Sequence, residues 1–559
     1  MAETPWILGI SASHNGAVCL LKGDEIVVAV QEERLSRFKR HRICGSEHFE
    51  SLAYCLDYAG IDAGDLSLVV LCVQGRARET KHDVRLNPLL KDALGQTPAV
   101  VIPHHLGHAV SAFATSGFAD AAILVVDGAG SPFEDLTADE QRVVKTRVRD
   151  GWETISLYTA TGTSVTPVEK HLVEQGGWYR PNGGGMPGFG SLGGMFSAVA
   201  TQIFADPMEA GKVMGLAPYG IPEIPPTAFF DIADGAFNFL DDVPAMFGGD
   251  ARWPTHADEY KNLSASVQLA LEEAVLYLAR HLKRLCPSEN LCYAGGVALN
   301  SVANERVIRE AGYEKVFIPP AAEDSGAAIG AAYYGLWQLT GHNTRREMTS
   351  DGCGRPYSSA SISAAVEKFP DVRAVEVPDV IGEAVERLCR GEIIGWFDGR
   401  SELGPRALGQ RSIICDPRRP DAKEVLNLRV KKREAFRPFA PVVLREEVEN
   451  WFELRGAPPD SPFMLRVCDF REDKAGRVPA VVHVDGTGRL QTVTREANGR
   501  FYELVKRFYE ATGVPVLLNT SFNVMGEPIV ETPENAVACF LNSGLDCCVF
   551  EDRIILKST

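Results

Sequence analysis

His104 and His108 stand four residues apart in the run PHHLGHAVSAF. On a helix that spacing lets both imidazoles project from one face and ligate one ion, while His105 points elsewhere. The same spacing also occurs on ordinary helix surfaces, so the pair needs partners before it means a site. Two aspartates are available. Asp127 follows the apolar run AILVV and precedes Gly128, Ala129 and Gly130, which puts a carboxylate at a strand end beside a turn where phosphate can approach backbone N–H groups. Asp324, in PPAAEDSGAAIGAA, precedes a small-residue helix, and either aspartate could instead be only a helix N-cap. Two imidazoles and two carboxylates together make a borderline-hard set suited to Fe, Mn or Zn.

Three further features fit a nucleotide. Gly295 and Gly296 in YAGGVALN lie between a strand and a helix, where the missing side chains let a ligand lie against the backbone, and Asn300 follows in the first turn. Glu209 and Lys212 in EAGKVMGLAPYG offer a ribose and phosphate grip, although Lys212 could be a solvated surface lysine. Downstream, ten Lys and Arg lie between Pro405 and Arg437 against four acids, in a chain whose formal net charge is −17. Charge runs commonly form a solvated face, but apolar residues and prolines interleave this one. Guanidinium forks grip phosphate bidentately, so the segments ELGPRALGQRSI and VKKREAFRPFAP suit a phosphorylated substrate together with ATP.

These residues need rigid elements behind them. At 559 residues the chain is longer than one core usually supports, so at least two domains are expected. Short β-rich runs at Ile7–Ser11, Ala17–Leu21 and Glu25–Gln31, separated by polar turns, predict an antiparallel meander. Apolar strands at Leu68–Cys72, Val100–Pro103 and Ala121–Val126 follow, with helical segments between them. A second round brings Glu153–Thr161, Asn290–Ala294 and Lys315–Pro319, alternating with helices Ser264–Arg284 and Val302–Gly312. This duplicated, hairpin-first α/β pattern predicts an actin-like ATPase (ASKHA) domain over residues 1–348. The polar stretch Thr349–Ser359 reads as a junction, and residues 349–559 as a second α/β domain with a helix at Val380–Cys389 and strands at Ile393–Phe397, Val514–Leu518 and Cys547–Ile555.

The motifs HHLGH, VVDGAG, EAGKVMGLAPYG, GGVALN and EDSGAA occur in the order found in threonylcarbamoyl-transfer proteins of tRNA modification, and the chain resembles them. That resemblance implies a metal held by His104, His108 and Asp324 against nucleotide phosphates, with Asp127 matching an extra ligand of the O-carbamoyltransferase branch. The segments VAVQEERLSRFK, ELGPRALGQRSI, VKKREAFRPFAP, GTGRLQTV and VPVLLNTSFNVMGEPIV closely resemble the nodulation and antibiotic O-carbamoyltransferases over nearly the whole chain. The resemblance implies a C-terminal YrdC-like domain that forms carbamoyl-adenylate and an N-terminal domain that transfers the carbamoyl group. It assigns Arg406, Lys431, Arg433, Arg437, Arg489, Asn519 and Asn523 to anion and nucleotide binding, Arg406 and Lys431 being catalytic candidates. It further implies ATP with Mg2+, a divalent metal with Fe2+ the first choice over Mn2+ or Zn2+, carbamoyl phosphate, and a small-molecule hydroxyl acceptor such as an antibiotic-type metabolite. Many relatives carry a His-Asp pair in the first turn, where this chain has His14 and Asn15. His14 is a candidate for accepting the hydroxyl proton, and a structural role in its turn is the alternative.

Other classes fit less well. A hydrogenase-maturation carbamoyltransferase would carry CxxC zinc fingers, which the thirteen scattered cysteines do not supply. A tRNA substrate sits poorly with the acidic charge, so no nucleic acid is expected. A nucleotide-sensing binding protein remains the non-enzymatic alternative. With no basic leader and no run of about 18 apolar residues, the chain reads as cytoplasmic and free of membrane. A homo-oligomer is compatible with the sequence, which does not specify subunit number.

Overall fold

The computed structural model describes residues 4–43, 49–78, 97–146, 148, 151–176, 188–233, 235–240 and 252–558. The chain divides into two compact units, one formed by Met1–Glu32 with Arg42–Met348, the other by Glu33–His41 with Thr349–Thr559.

In the first unit, β1 (Trp6–Ala12), β2 (Ala17–Lys22) and β3 (Glu25–Gln31) make the expected antiparallel meander. Two parallel strands, β4 (Leu68–Val73) and β5 (Ala99–Pro103), extend it from the β1 side, giving the order β3-β2-β1-β4-β5. A second sheet repeats the plan. There β6 (Asp120–Val126), β7 (Trp152–Thr161) and β8 (Ser164–Val173) form the meander. After a small hairpin of β9 (Phe230–Ala233) and β10 (Ala236–Phe239), strands β11 (Asn290–Ala294) and β12 (Lys315–Phe317) join in parallel, giving β12-β11-β6-β7-β8. Both sheets therefore run hairpin, central strand, then two parallel crossovers, which is the duplicated actin-like α/β arrangement. The two helices of the second round span Ala257–Leu285 and Ser301–Glu310.

Helix His104–Thr115 leaves β5, and helix Ala327–Thr340 follows β12 at the equivalent place in the second lobe. They touch almost backbone to backbone. A Cβ on Gly330 would stand 1.9 Å from the carbonyl oxygen of Gly107, so only glycine lets the helix that follows Asp324 approach the helix that carries both histidines.

In the second unit one mixed sheet carries the core. Its strands are β13 (Val372–Glu376), β14 (Ile394–Phe397), β15 (Arg411–Cys415), β16 (Ala440–Leu444), β17 (Phe452–Glu453), β18 (Arg466–Phe470), β19 (Thr487–Val493), β20 (Val516–Ser521), β21 (Cys547–Val549) and β22 (Arg553–Lys557). The order is β13-β22-β21-β14-β15-β20-β16-β19-β18-β17, parallel only at β14/β21 and β16/β19. Helix Val380–Cys389 lies where its apolar periodicity put it. The expected single strand Cys547–Ile555 is instead the hairpin of β21 and β22, because the polar pair Glu551 and Asp552 turns the chain and Phe550 donates back to the Arg553 carbonyl. Residues 33–41, N-terminal in sequence, belong to this unit: Arg34 donates to the Gly404 carbonyl at 2.6 Å, and Arg37 to the Pro528 and Ile529 carbonyls at 2.8 and 2.7 Å. No described helix is long and apolar enough to cross a membrane.

Gly330→Ala is expected to lower stability by about 1–3 kcal/mol, the usual cost of overpacking a tight contact. Gly211→Ala, in a helix where a Cβ meets nothing within 4 Å, should leave stability unchanged or slightly raised. Urea unfolding of the two variants checks this, and equal midpoints would remove the argument from close approach.

Candidate functional site

His104 is the first residue of its helix and His108 lies one turn later, both buried. Asp127 stands just past β6, and Asp324 opens the short turn Asp324–Gly326 that leads into helix Ala327–Thr340. One ligand atom from each of these four residues lies within 4.8 Å of every other. His104 Nε2 is 3.2 Å from Asp324 Oδ1, 3.4 Å from Asp127 Oδ2 and 3.2 Å from His108 Nε2. Asp127 Oδ2 and Asp324 Oδ2 are buried without a well-aligned hydrogen-bond donor. Burial lowers the basicity of His104, yet the two carboxylates overcome this and hold its pKa well above the ordinary imidazole value. The field at the centre of the cluster therefore favours a positive charge. Converging lone pairs, two buried carboxylates and that field all fit a divalent cation.

Neighbouring groups fix the ligands. Asp127 Oδ1 accepts the Gly296 N–H at 3.1 Å, and the Asp324 carbonyl accepts the Ser11 hydroxyl at 2.7 Å. Cys72 Sγ lies 3.9 Å from His104 Nδ1. His105 turns away from the cluster, its Nδ1 2.7 Å from Ser156 Oγ. His14 sits beside the ligands, with Nδ1 2.9 Å from both Asp324 Oδ2 and Gln74 Oε1. Burial would depress the His14 pKa, but the Asp324 charge wins and raises it to about 9.

The glycine turns frame this centre. Gly295 adopts φ +95°, and a Cβ there would lie 2.2 Å from the Val126 carbonyl oxygen, so the chain after β11 can meet the end of β6 only as glycine. Gly128 has open space on its Cα and its carbonyl accepts the Ser191 hydroxyl, whereas Gly130 is seated against Glu153 and His105. Asn300 was expected to reach a nucleotide from the first turn. Its side chain instead caps the Ala303 N–H and pairs amide to amide with Gln268, which engages both ends. Glu209 and Lys212 pair with each other at 3.3 Å, and the Lys212 ammonium also lies over the Phe204 ring.

In the second unit the run of basic residues separates into two kinds. Arg411 is wholly buried, stacks on Phe397 and donates to the Asp398 and Gly399 carbonyls. Arg418, Arg419 and Arg429 are neutralised by Asp416, Asp421 and Asp546. These four are structural, which corrects the reading of the whole run as one cradle. Arg406, Arg433 and Arg489 keep their charge with little acidic compensation. Burial first, and then repulsion from Arg437, lower the pKa of Arg406 to about 10 and that of Arg433 to about 9, while burial with repulsion from Arg406 and Arg433 holds that of Arg489 well below its ordinary value. Arg406 and Arg489 each bury an Nε with no hydrogen-bond partner. Arg437 pairs with Glu434 at 3.8 Å.

Lys431 ends a π-helical turn, Leu426–Lys431, that Lys432 closes in the left-handed conformation. Its buried ammonium donates to the Ser521 carbonyl and, at 2.8 Å, to Asn523 Oδ1. Burial first, and then Arg433, lower its pKa well below the usual lysine value. Asn523 thus holds Lys431. Asn519 is wholly buried and donates to the Ala407 carbonyl and Gln491, clamping the loop that carries Arg406. Sequence reasoning missed Gln491, which holds the Leu408 carbonyl, and Gln74, which positions His14 and donates to the Ala129 carbonyl. Gln74 had a readable signal, a polar residue just past the end of an apolar parallel strand.

Comparison with known proteins gives the family of the chain. Residues 6–93 and 89–333 match the family model described as Carbamoyltransferase N-terminus, and residues 385–557 match Carbamoyltransferase C-terminus. The chain is 35% identical to the uncharacterized protein sll1178 of Synechocystis, over 99% of this chain and 97% of that one. It is 34% identical to nodulation protein NolNO of Sinorhizobium fredii, over 98% of this chain and 79% of the relative. Among solved structures, T. kodakarensis HypF matches at a TM-score of 0.41 and 14% identity, covering 61% of this chain and 48% of HypF, a likeness too remote to bear on activity. With both terminal models matched along most of its length, the chain belongs to the carbamoyltransferase family and is a carbamoyltransferase.

Proposed function

We propose that the enzyme is an ATP-dependent O-carbamoyltransferase that forms carbamoyl-adenylate and passes its carbamoyl group to a hydroxyl of a small natural product, as in antibiotic-type metabolism. The observation that carries this reading is the shared positive field of Arg406, Arg433, Arg437 and Arg489, with Glu434 the one acid within 4 Å of them among the described residues. A polyanion relieves that repulsion, and carbamoyl phosphate with Mg2+-bound ATP supplies one. We assign adenylate formation to residues 349–559, as a YrdC-like domain, and carbamoyl transfer to the actin-like domain of residues 1–348.

In the first step a carbamate oxygen, left when carbamoyl phosphate loses phosphate to water, bonds to the α-phosphorus of ATP and pyrophosphate leaves. The guanidinium groups hold the phosphates in line, and Lys431, aimed by Ser521 and Asn523, adds a donor at the reacting oxygens. In the second step the acceptor oxygen bonds to the carbamoyl carbon and AMP departs with its phosphate oxygen. His14, neutral only once pH rises toward its pKa of about 9, is the group beside the ligand cluster that in that form can take the hydroxyl proton and release it to solvent. Of the glycine turns, Gly128 and Ala129 are the residues whose N–H groups would serve the departing phosphate, since those of Gly130, Gly295 and Gly296 are bonded to Glu153, Ala322 and Asp127. His104, His108, Asp127 and Asp324 would hold a divalent ion, Fe2+ being the first candidate, which when bound supplies Lewis acidity at that phosphate.

His108→Ala should lose most of the metal found in the purified wild type, by elemental analysis; unchanged stoichiometry removes His108 from the ligand set. The two steps should also separate by mutation. Arg406→Ala loses charge-assisted contacts of about 1.5–3 kcal/mol, so carbamoyl-phosphate-dependent pyrophosphate release should fall about 10- to 100-fold while transfer from supplied carbamoyl-adenylate survives. His104→Ala should release pyrophosphate yet fail to carbamoylate the acceptor. If both folded variants lose adenylate formation, one composite site must replace the two-site assignment.

A further inference from the structure

A helix start leaves several backbone N–H groups unsatisfied, and the helix carrying His104 and His108 begins at Pro103, whose side chain cannot cap it. Its cap comes from the other lobe. The His104 N–H donates to Ser131 Oγ at 2.9 Å, and the His105 N–H to Glu153 Oε1 at 3.0 Å. The same Glu153 oxygen accepts the Ser131 N–H at 3.0 Å. Backbone bonds reinforce the junction: the Gly130 N–H reaches the Glu153 carbonyl at 2.8 Å and the Glu153 N–H the Ser131 carbonyl at 3.0 Å. Ser131 Oγ also donates to the Val73 carbonyl at the end of β4, at 2.9 Å.

The opposite oxygen of Glu153 is neutralised inside the protein. Oε2 is hydrogen-bonded by Lys170, whose ammonium lies 3.0 Å from Glu140 Oε1, and Tyr158 donates to that oxygen at 2.8 Å. Glu153 and Lys170 are wholly inaccessible and Glu140 is 1% exposed. Among the described residues, this network reaches the histidine-bearing helix through hydrogen bonds to the His104 and His105 backbone N–H groups. A carboxylate at a helix N-terminus is favoured by the helix dipole, and a buried one persists only when paired and fully hydrogen-bonded.

We infer that Glu153, with Ser131, is a positioning residue that locks the first turn of the histidine-bearing helix to the glycine turn after Asp127, so that affinity for metal and affinity for nucleotide are set by one anchor. The inference rests on the metal and nucleotide reading proposed above. Its logic is mechanical: two of the four ligands ride on the helix and a third adjoins the turn, so the Glu153 carboxylate fixes their spacing from behind. Groups that orient ligands without binding the ion typically govern metal affinity by about 10- to 100-fold.

The experiment measures Mn2+ and ADP dissociation constants by titration calorimetry, with melting temperature, on the full chain. Ser131→Ala removes one cap without exposing a buried charge and should weaken both affinities about 10-fold, with Glu153→Ala weakening them more. The triple variant Glu153→Gln, Glu140→Gln and Lys170→Met keeps the Oε1 acceptor and removes the whole buried charge cluster without leaving one charge unpaired, so it should bind close to wild type. Should Glu153→Ala fail to fold, Ser131→Ala and the triple variant still decide. Wild-type affinities in folded Ser131→Ala, or a fall in only one of the two, overturn the anchor while leaving the metal reading intact. If wild type itself shows no His108-dependent Mn2+ binding, the metal reading fails first and takes the anchor with it.

Discussion

Two carboxylates and two imidazoles buried within a few ångströms of one another are the constraint on which the first unit depends. Desolvated negative charge is tolerated only beside compensating positive charge, so this cluster is stable where a cation or proton can sit among the ligands. The two lobes divide the work. His104 and His108 come from a helix that leaves the first sheet, whereas Asp127 and Asp324 follow strands β6 and β12 of the second. The ligands meet only if the lobes pack at one spacing, and the near-contact of Gly330 with the Gly107 backbone sets it.

The second unit solves the inverse problem. A chain with a net charge of −17 repels anionic substrates at long range, yet Arg406, Arg433, Arg437 and Arg489 make a strongly positive interior. Screening over about 8–10 Å at physiological salt separates these scales, so the acidic exterior does not cancel the local field. The nearby acids are spent elsewhere: Asp416, Asp421 and Asp546 each hold an arginine that faces away from this task.

Much of this was legible in the sequence because the relevant signals are short-range. The antiparallel meander at residues 6–31 follows from alternating β-rich runs and polar turns, and the i, i+4 histidines sit on one helical face. What was not legible depends on which residues become neighbours only after folding. Arg411 and Arg406 look alike in ELGPRALGQRSI, but one is pinned under Phe397 and the other retains an unpaired Nε. Asn300 follows a glycine pair as a ligand-binding residue would, yet Gln268, from a distant helix, takes both ends of its amide. Glu153 reads as an ordinary residue of a strand, since its partners Lys170, Ser131 and His105 are set by strand pairing and lobe packing.

The segment Glu33–His41 belongs to the second unit although both its flanks belong to the first. The polypeptide therefore passes between the units at three places, near residues 32, 41 and 348, and not at a single linker. On a ribosome, where domains generally complete in the order they emerge, this early segment must wait for the last two hundred or so residues before its arginines find the Gly404, Pro528 and Ile529 carbonyls. Severing the chain at the late junction would leave the C-terminal piece short of a component made three hundred residues earlier, so recombination at that point alone could not exchange the second unit as a self-contained module.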